Sequence, residues 1–357
     1  MKSTLVRLLG AAVLAGMAAM GVARAEELKV GFVYVGPVGD YGWTFRHDVA
    51  RKAVEAAFPG KVKTTFVESV KEGPDAERVI RQMAASGNKL IFTTSFGFMN
   101  PTVKVAKQFP AVKFEHATGY KRTANLSTYS ARFYEGRAII GHIAGRLSKT
   151  GVVGYIASFP IPEVVRGINA FTIALRKVNP EAKVKVIWVN TWYDPGKEAD
   201  AAKALIDQGA DIIAQHTDSP APLQVAEKRG VKGFGQASDM IKFAPKSQLT
   251  AIVDNWNPYY IARTKAVMDG SWKSEATWAG IKPGMVKMAP YTNMPADVKA
   301  EAEALQAKLA SGEVHAFDGP IKDQSGKEVV KAGEHLDDKT LATMDYYVEG
   351  VDDKLKK

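Results

Sequence analysis

The chain has 357 residues, 48 Lys and Arg against 38 Asp and Glu, and a formal charge of +10. It holds no Cys, which excludes a disulfide scaffold, Cys-ligated zinc, an iron–sulfur cluster and a thiol nucleophile. The 46% hydrophobic content is that of a globular protein, and the length suits about two domains.

The N-terminus predicts export. Lys2 and Arg7 precede an apolar run from Leu8 to Val22 that ends in Ala23-Arg24-Ala25. A basic start, an apolar middle and an A-x-A end make a secretory signal peptide over residues 1–25, cleaved after Ala25. The run is shorter than the roughly 20 residues a membrane-spanning helix needs. Leu14-Ala15-Gly16 reads like the start of a lipoprotein processing site, but Met17 stands where the lipid-bearing Cys belongs. The expected product is therefore free of a lipid anchor, in the periplasm. Cleavage removes Lys2, Arg7 and Arg24 and no acid, which lowers the charge to +7. The remaining cations, such as Arg51-Lys52, Lys104, Lys107 and Arg176-Lys177, are scattered through helical patterns. No basic run is interleaved with aromatics, so nucleic acid is not an expected partner.

Beyond the signal, strand patterns alternate with helical ones. Strands are expected at Leu28–Val35, Val62–Val67, Lys89–Ser95 and Val112–Thr118, then at Gly151–Ser158, Lys183–Val189, Ala210–Thr217 and Lys232–Ala237. Near-continuous apolar runs such as Val152-Val153-Gly154-Tyr155-Ile156 suit strands buried on both faces of a parallel sheet. Asp75–Ser86 and Pro162–Val178 carry apolar residues at helical spacing. The strand starts are separated by about 34, 27 and 23 residues in the first half and about 32, 27 and 22 in the second. This rhythm predicts an α/β protein of two similar, doubly wound parallel-sheet lobes. One large sheet is the alternative. Leu249–Asp254 is a further strand, Pro258–Met268 and Pro295–Leu309 further helices, and Asp323-Gln324-Ser325-Gly326 a hairpin turn. The expected layout is lobe 1 over 26–130 plus about 255–290, lobe 2 over 131–254, and a crossing segment over 291–357 that could return to the first lobe. Hinge passages are expected near Ser127–Arg132 and Ile252–Asn255.

In open α/β sheets ligands bind outside the carboxyl ends of the strands. Those ends carry Asp40-Tyr41-Gly42-Trp43, Phe96-Gly97-Phe98, His116 and Tyr120 in the first half. In the second they carry Phe159, Asn190 through Asp194 with Trp192, His216-Thr217-Asp218, Ser238-Asp239 and Asp254-Asn255-Trp256. Aromatics with convergent Asp, Asn and Thr suit a flat, hydrogen-bonding ligand without phosphate. Each residue also has a plainer reading: Asp40 would cap the next helix, and Trp256 would be core. Gly36, Gly39 and Gly42 do not have the dinucleotide spacing, and no phosphate-loop, nucleophile-elbow or zinc-protease motif is present. The six His show no metal spacing, although His116 and His216 end corresponding strands and could form a facing pair. No nucleophile–base constellation stands out, so no enzyme, cofactor or metal site is expected.

Several segments taken together resemble the basic membrane protein (BMP) family of ABC-importer substrate-binding proteins. Val30-Gly31-Phe32-Val33 leading to Asp40-Tyr41-Gly42-Trp43-Thr44 is similar to its first strand and D-x-S-F-N segment. Thr94-Ser95-Phe96-Gly97-Phe98, Phe133-Tyr134-Glu135-Gly136 with Gly141 to Gly145, Phe234-Gly235 through Ser238-Asp239, and Val348-Glu349-Gly350-Val351 resemble later segments in the same order. The resemblance implies a type I periplasmic-binding-protein fold and a purine nucleoside or related ligand, captured by hinge closure and passed to a membrane permease. It implies a base clamped by Trp43, where the family has Phe, and by Phe96. It implies that Asp239 hydrogen-bonds the ligand and that Asp40 is the Asp of the first loop. Thr44 replaces a family Asn, and Asp254 replaces a Lys before Asn255, which favours an exocyclic amino group over a 6-oxo group: adenine or adenosine over guanosine and inosine. The ligand-binding set is thus Trp43, Phe96, Asp239, Asp40, Thr44, Trp192, Asp218, Asp254, Asn255 and Phe159, in a monomer. The competing readings are a sugar or an amine on the same scaffold, or an exported nucleoside hydrolase.

Overall fold

The computed structural model describes residues 27–355, and the predicted signal peptide lies outside them. The first lobe opens with β1 (Leu28–Tyr34), α1 (Trp43–Ala57), β2 (Val62–Val67), α2 (Pro74–Ala85), β3 (Leu90–Thr94), α3 (Met99–Gln108), β4 (Lys113–Ala117) and β5 (Leu126–Ala131). The chain then crosses to α4 (Phe133–Leu147), β6 (Val152–Ala157), α5 (Pro162–Val178), β7 (Lys183–Trp188), α6 (Pro195–Asp207), β8 (Ile212–His216), α7 (Ala221–Arg229), β9 (Lys232–Gly235) and β10 (Gln248–Asp254). It returns for α8 (Asn257–Met268) and β11 (Ala276–Ala279). A third crossing leads to β12 (Val286–Met288), α9 (Ala296–Ser311), β13 (Ile321–Lys322), β14 (Glu328–Val330), α10 (Asp338–Ala342) and β15 (Val351–Asp352).

The two large sheets have matching strand orders. The first runs β11-β5-β4-β3-β1-β2 and the second β12-β10-β9-β8-β6-β7-β15. All pairs are parallel except β10 with β12. Strands such as β3, buried at all five residues, lie between helical layers, as their apolar runs require. Helix α2 shows the local logic. Pro74 begins it, Asp75 and Glu77 face the positive end of its dipole, and Ala76, Val79, Ile80 and Met83 are its buried stripe. Helices α4 and α5 pack unusually close because a Cβ on Gly141 would lie 2.2 Å from the Phe171 carbonyl oxygen.

Most expected strands match within one or two residues, but two placements differ. Val286–Met288, expected in the first lobe, pairs antiparallel with β10 in the second sheet, which covers an otherwise open edge. The tail does not return to the first lobe either: β15 extends the second sheet beside β7, Val351 opposite Val184. Asn169 on α5 holds the tail there, donating to the Tyr346 carbonyl at 2.7 Å and accepting from the Val348 amide at 3.1 Å. The return segment is fixed to the first lobe by Glu115 on β4. That buried carboxylate accepts from Arg263 Nε at 2.6 Å, Tyr259 Oη at 2.7 Å and Trp272 Nε1 at 2.7 Å.

Candidate ligand-binding cleft

The carboxyl ends of both sheets face each other across a narrow crevice. The first lobe lines it with Val35, Trp43, Ser95, Phe96 and Thr118; the second with Glu163, Trp192, His216, Asp218 and Gln236. The lobes touch around it. Arg46 Nε donates to the Asp254 carbonyl at 2.7 Å, and Trp192 Nε1 lies 3.3 Å from Glu72 Oε1. Ser238 Oγ donates to the Tyr41 carbonyl, and Lys242 Nζ sits 3.6 Å from the centre of the Tyr41 ring. A Cβ on Gly42 would lie 2.3 Å from the Asp218 carbonyl oxygen, so only Gly permits this approach.

Four of the expected site residues meet in the crevice: Trp43, Phe96, Trp192 and Asp218. Trp43 opens α1, and its Nε1 donates to the Thr94 carbonyl at 2.7 Å, which fixes the ring. Phe96 sits on a single 3₁₀ turn after β3. Phe159 stands at the outer mouth, its ring 5.1 Å from that of Trp192. Asp218 is buried between the lobes. Burial and the charges of Asp40, Glu198 and Asp254 push its carboxyl well above the usual range.

The other expected residues take different places. Asp40 caps α1: Oδ1 accepts from the amides of Gly42 at 2.8 Å and Phe45 at 2.9 Å, and Oδ2 from that of Thr44 at 2.9 Å. Burial raises it to about 6. Thr44 is buried, with Oγ1 accepting from the Gly36 amide at 3.2 Å. Asn255 belongs to the crossing, its Nδ2 donating to the Gly284 carbonyl at 2.8 Å. Asp239 is exposed outside the crevice, accepting from the Ile241 amide at 3.0 Å and Gln248 Nε2 at 2.7 Å. Its turn chemistry, not a ligand, engages this carboxylate. Asp254 is fully buried and neither of its oxygens has a hydrogen-bond partner among the described residues. Burial raises its carboxyl well above the usual range, against the attraction of Arg46 and Arg137 and with the repulsion of Glu163. Trp256 is core, stacked on His47 at 5.0 Å.

His116 and His216, whose strand ends left a facing pair possible, have separate partners. His116 Nδ1 pairs with Thr93 Oγ1 at 2.9 Å inside the first lobe, and burial lowers its pKa to about 3. His216 instead faces Glu163 at 3.6 Å across the second-lobe wall. Sequence reasoning missed Glu163, Gln236 and Arg137. Glu163 and Gln236 follow the carboxyl ends of β6 and β9, so the strand-end rule alone would have found them. Arg137 shows only as a charge inside the apolar pattern of α4. Among the described residues no group of three or more His, Asp or Glu is placed to hold a metal, and no helix is long and apolar enough to cross a membrane.

Two lobes of like topology, three crossings between them and an aromatic crevice at the strand ends define a bilobed solute-binding protein of the type I periplasmic-binding-protein class. A solute-binding protein of an ABC transporter system from Aeropyrum pernix K1, 19% identical, has the same fold at a TM-score of 0.70 over 88% of this chain and 95% of its own. The family model described as ABC transporter substrate-binding protein PnrA-like matches residues 27–316, and the chain belongs to this Bmp family. A purine-binding protein of Brucella abortus (strain 2308) is 65% identical over 96% of this chain and 99% of its own length. A Haloferax volcanii protein, provisionally named an ABC transporter glucose-binding protein, is 36% identical over 93% of this chain and 82% of its own. The chain is thus an ABC-transporter substrate-binding protein, in a family of small-molecule receptors.

Proposed function

We propose that this protein captures a purine base or nucleoside, adenine or adenosine before guanosine and inosine, and delivers it to an ABC permease. The observation that carries the reading is the composition of the crevice. Trp43, Phe96 and Trp192 offer ring faces from both lobes, while the carboxylate Glu163 stands on the second-lobe wall. Ring faces suit a flat base, and carboxylates accept from an amino group but repel a 6-oxo oxygen. The purine-binding relative supports the same ligand class.

In this reading the lobes close by bending at the crossings near 131–133, 254–257 and 280–285, and the bound ring completes the contact between them. The protein works after export, as a monomer free in the periplasm, and binds without turning its ligand over. Titration calorimetry with adenine, adenosine, guanosine and inosine tests it. Adenine or adenosine should bind tightest; tightest binding of guanosine overturns the preference. Release of free adenine from adenosine by the purified protein would show a hydrolase instead. A sugar is the second reading, supported by the Haloferax relative, and a glucose titration in the same series decides it.

A further inference from the structure

Gln236 follows β9, is 5% exposed and lines the crevice. Either end of a glutamine amide can face a ligand, and here Arg137 decides which. The guanidinium only donates. One of its terminal nitrogens lies 2.5 Å from Gln236 Oε1, and turning the amide over would set two donors against each other. Arg137 cannot swing aside. It is 1% exposed, its other terminal nitrogen donates to the Gln215 carbonyl at 2.8 Å, and its charge lies 5.4 Å from the Tyr155 ring centre. Gln236 Nε2 is left with its N–H groups and no partner among the described residues. On the same wall, Glu163 has a side chain only 12% exposed. The His216 ring, held neutral by burial, has its Nε2 3.6 Å away, too far for a hydrogen bond.

We propose that Gln236 is a specificity-determining residue that donates from Nε2 to an unprotonated ring nitrogen of the ligand, while Glu163 accepts from the adjacent amino group. Arg137 is its positioning residue. The inference rests on the purine reading above and deepens it. The pair reads an amidine edge, in which a bare ring nitrogen sits beside an amino group. A 6-oxo purine presents the reverse order, a ring N–H beside a carbonyl oxygen, and mismatches both partners in the same pose. Because the order of donor and acceptor is locked by Arg137, the wall cannot adapt by turning the amide.

The test is Gln236→Glu, titrated with adenine and hypoxanthine. The variant keeps the shape of the side chain and its contact with Arg137, so the fold is retained. It replaces the donor with an acceptor. Adenine should bind about 10-fold more weakly or worse. The hypoxanthine-to-adenine Kd ratio should fall. Unchanged adenine affinity with an unchanged ratio overturns the proposal. If Gln236→Glu does not fold, Arg137→Lys serves: losing the fork frees the amide to rotate, and the ratio should move toward one. An unchanged ratio there overturns the positioning role. The wild-type titration keeps the two readings apart, since failure to bind any purine sinks the purine reading itself, and the inference with it.

Discussion

Two fully buried carboxyl groups, Glu115 in the first lobe and Asp254 in the second, are treated in opposite ways. Glu115 in the first lobe is fully buried and has three donors: Arg263, Tyr259 and Trp272. Asp254 in the second lobe is equally buried and has none, and Glu163 has only His216 at 3.6 Å. A buried carboxyl without partners is costly in either protonation state. Glu115 ties α8 and β11 to the lobe they return to; it is architecture. Glu163 is a valence left open at the crevice, while Asp254 lies buried outside the crevice lining with no hydrogen-bond partner among the described residues. The lobes divide their labour at the crevice in the same sense. The first supplies two ring faces and hydroxyls, and the second supplies the titratable and amide groups beside Trp192.

The largest expected effect comes from breaking the satisfied site. Arg263→Met leaves Glu115 buried without its cation and also removes donors to Ser127 Oγ and the Lys273 carbonyl. Urea denaturation should show a loss of about 3–5 kcal/mol, independent of ligand. A loss below about 1 kcal/mol would mean that the first-lobe carboxylate is no better satisfied than those of the second lobe, and the contrast would fail. Next comes a ring face. Phe96→Ala should weaken binding of a purine by about 1–3 kcal/mol, read by calorimetry, because each base–aromatic stack contributes on that order. The unliganded protein should keep its denaturation midpoint, since Phe96 is only half-buried on a turn. Smaller, and more diagnostic, is Asp254→Asn. Removing a buried, unpartnered carboxyl whose ionisation burial opposes should raise the melting temperature of the unliganded protein while weakening adenine binding. Movement of both quantities in the same direction would place Asp254 with Glu115, as architecture.

The fold was largely legible because both lobes are built from locally coded units. The expected helix Pro162–Val178 is reproduced residue for residue, and the strand spacing revealed the matched halves. What local pattern could not show was partner choice at sheet edges. Val286–Met288 and Val351–Asp352 are too short to carry a period, and long-range pairing places them on the second sheet. The crevice was half legible for a related reason. Strand ends point to loops, and Trp43, Phe96, Trp192 and Asp218 were found there. Asp239 lay in an equivalent loop but spends its carboxylate on a local turn. Whether a loop carboxylate caps its own backbone or faces a ligand is decided by a rotation that spacing does not encode. Arg137 acts from the middle of a helix, and its role exists only through Gln236, 99 residues away.

The smallest predicted effect concerns Asp40, which lies between the two extremes. Its carboxylate has three backbone donors, yet burial still raises it to about 6, and Asp218 of the other lobe sits close enough for each to oppose the other's charge. At pH values below the ordinary Asp range, the group is protonated in both the folded and unfolded chain and contributes no pH dependence. As pH rises from about 4 toward about 6, the unfolded chain ionises first, the folded chain holds more protons, and stability falls. Above about 6 the penalty is complete and the curve flattens. Melting curves of the unliganded protein across this window should therefore slope downward with pH. Asp40→Asn should remove part of that slope, a matter of a few degrees, whatever it does to the absolute midpoint. A variant with the slope of the wild type would show that the three amides of the α1 cap satisfy Asp40 as fully as Arg263 satisfies Glu115. The ring of strained charges at the crevice would then begin at Asp218 and lie wholly in the second lobe.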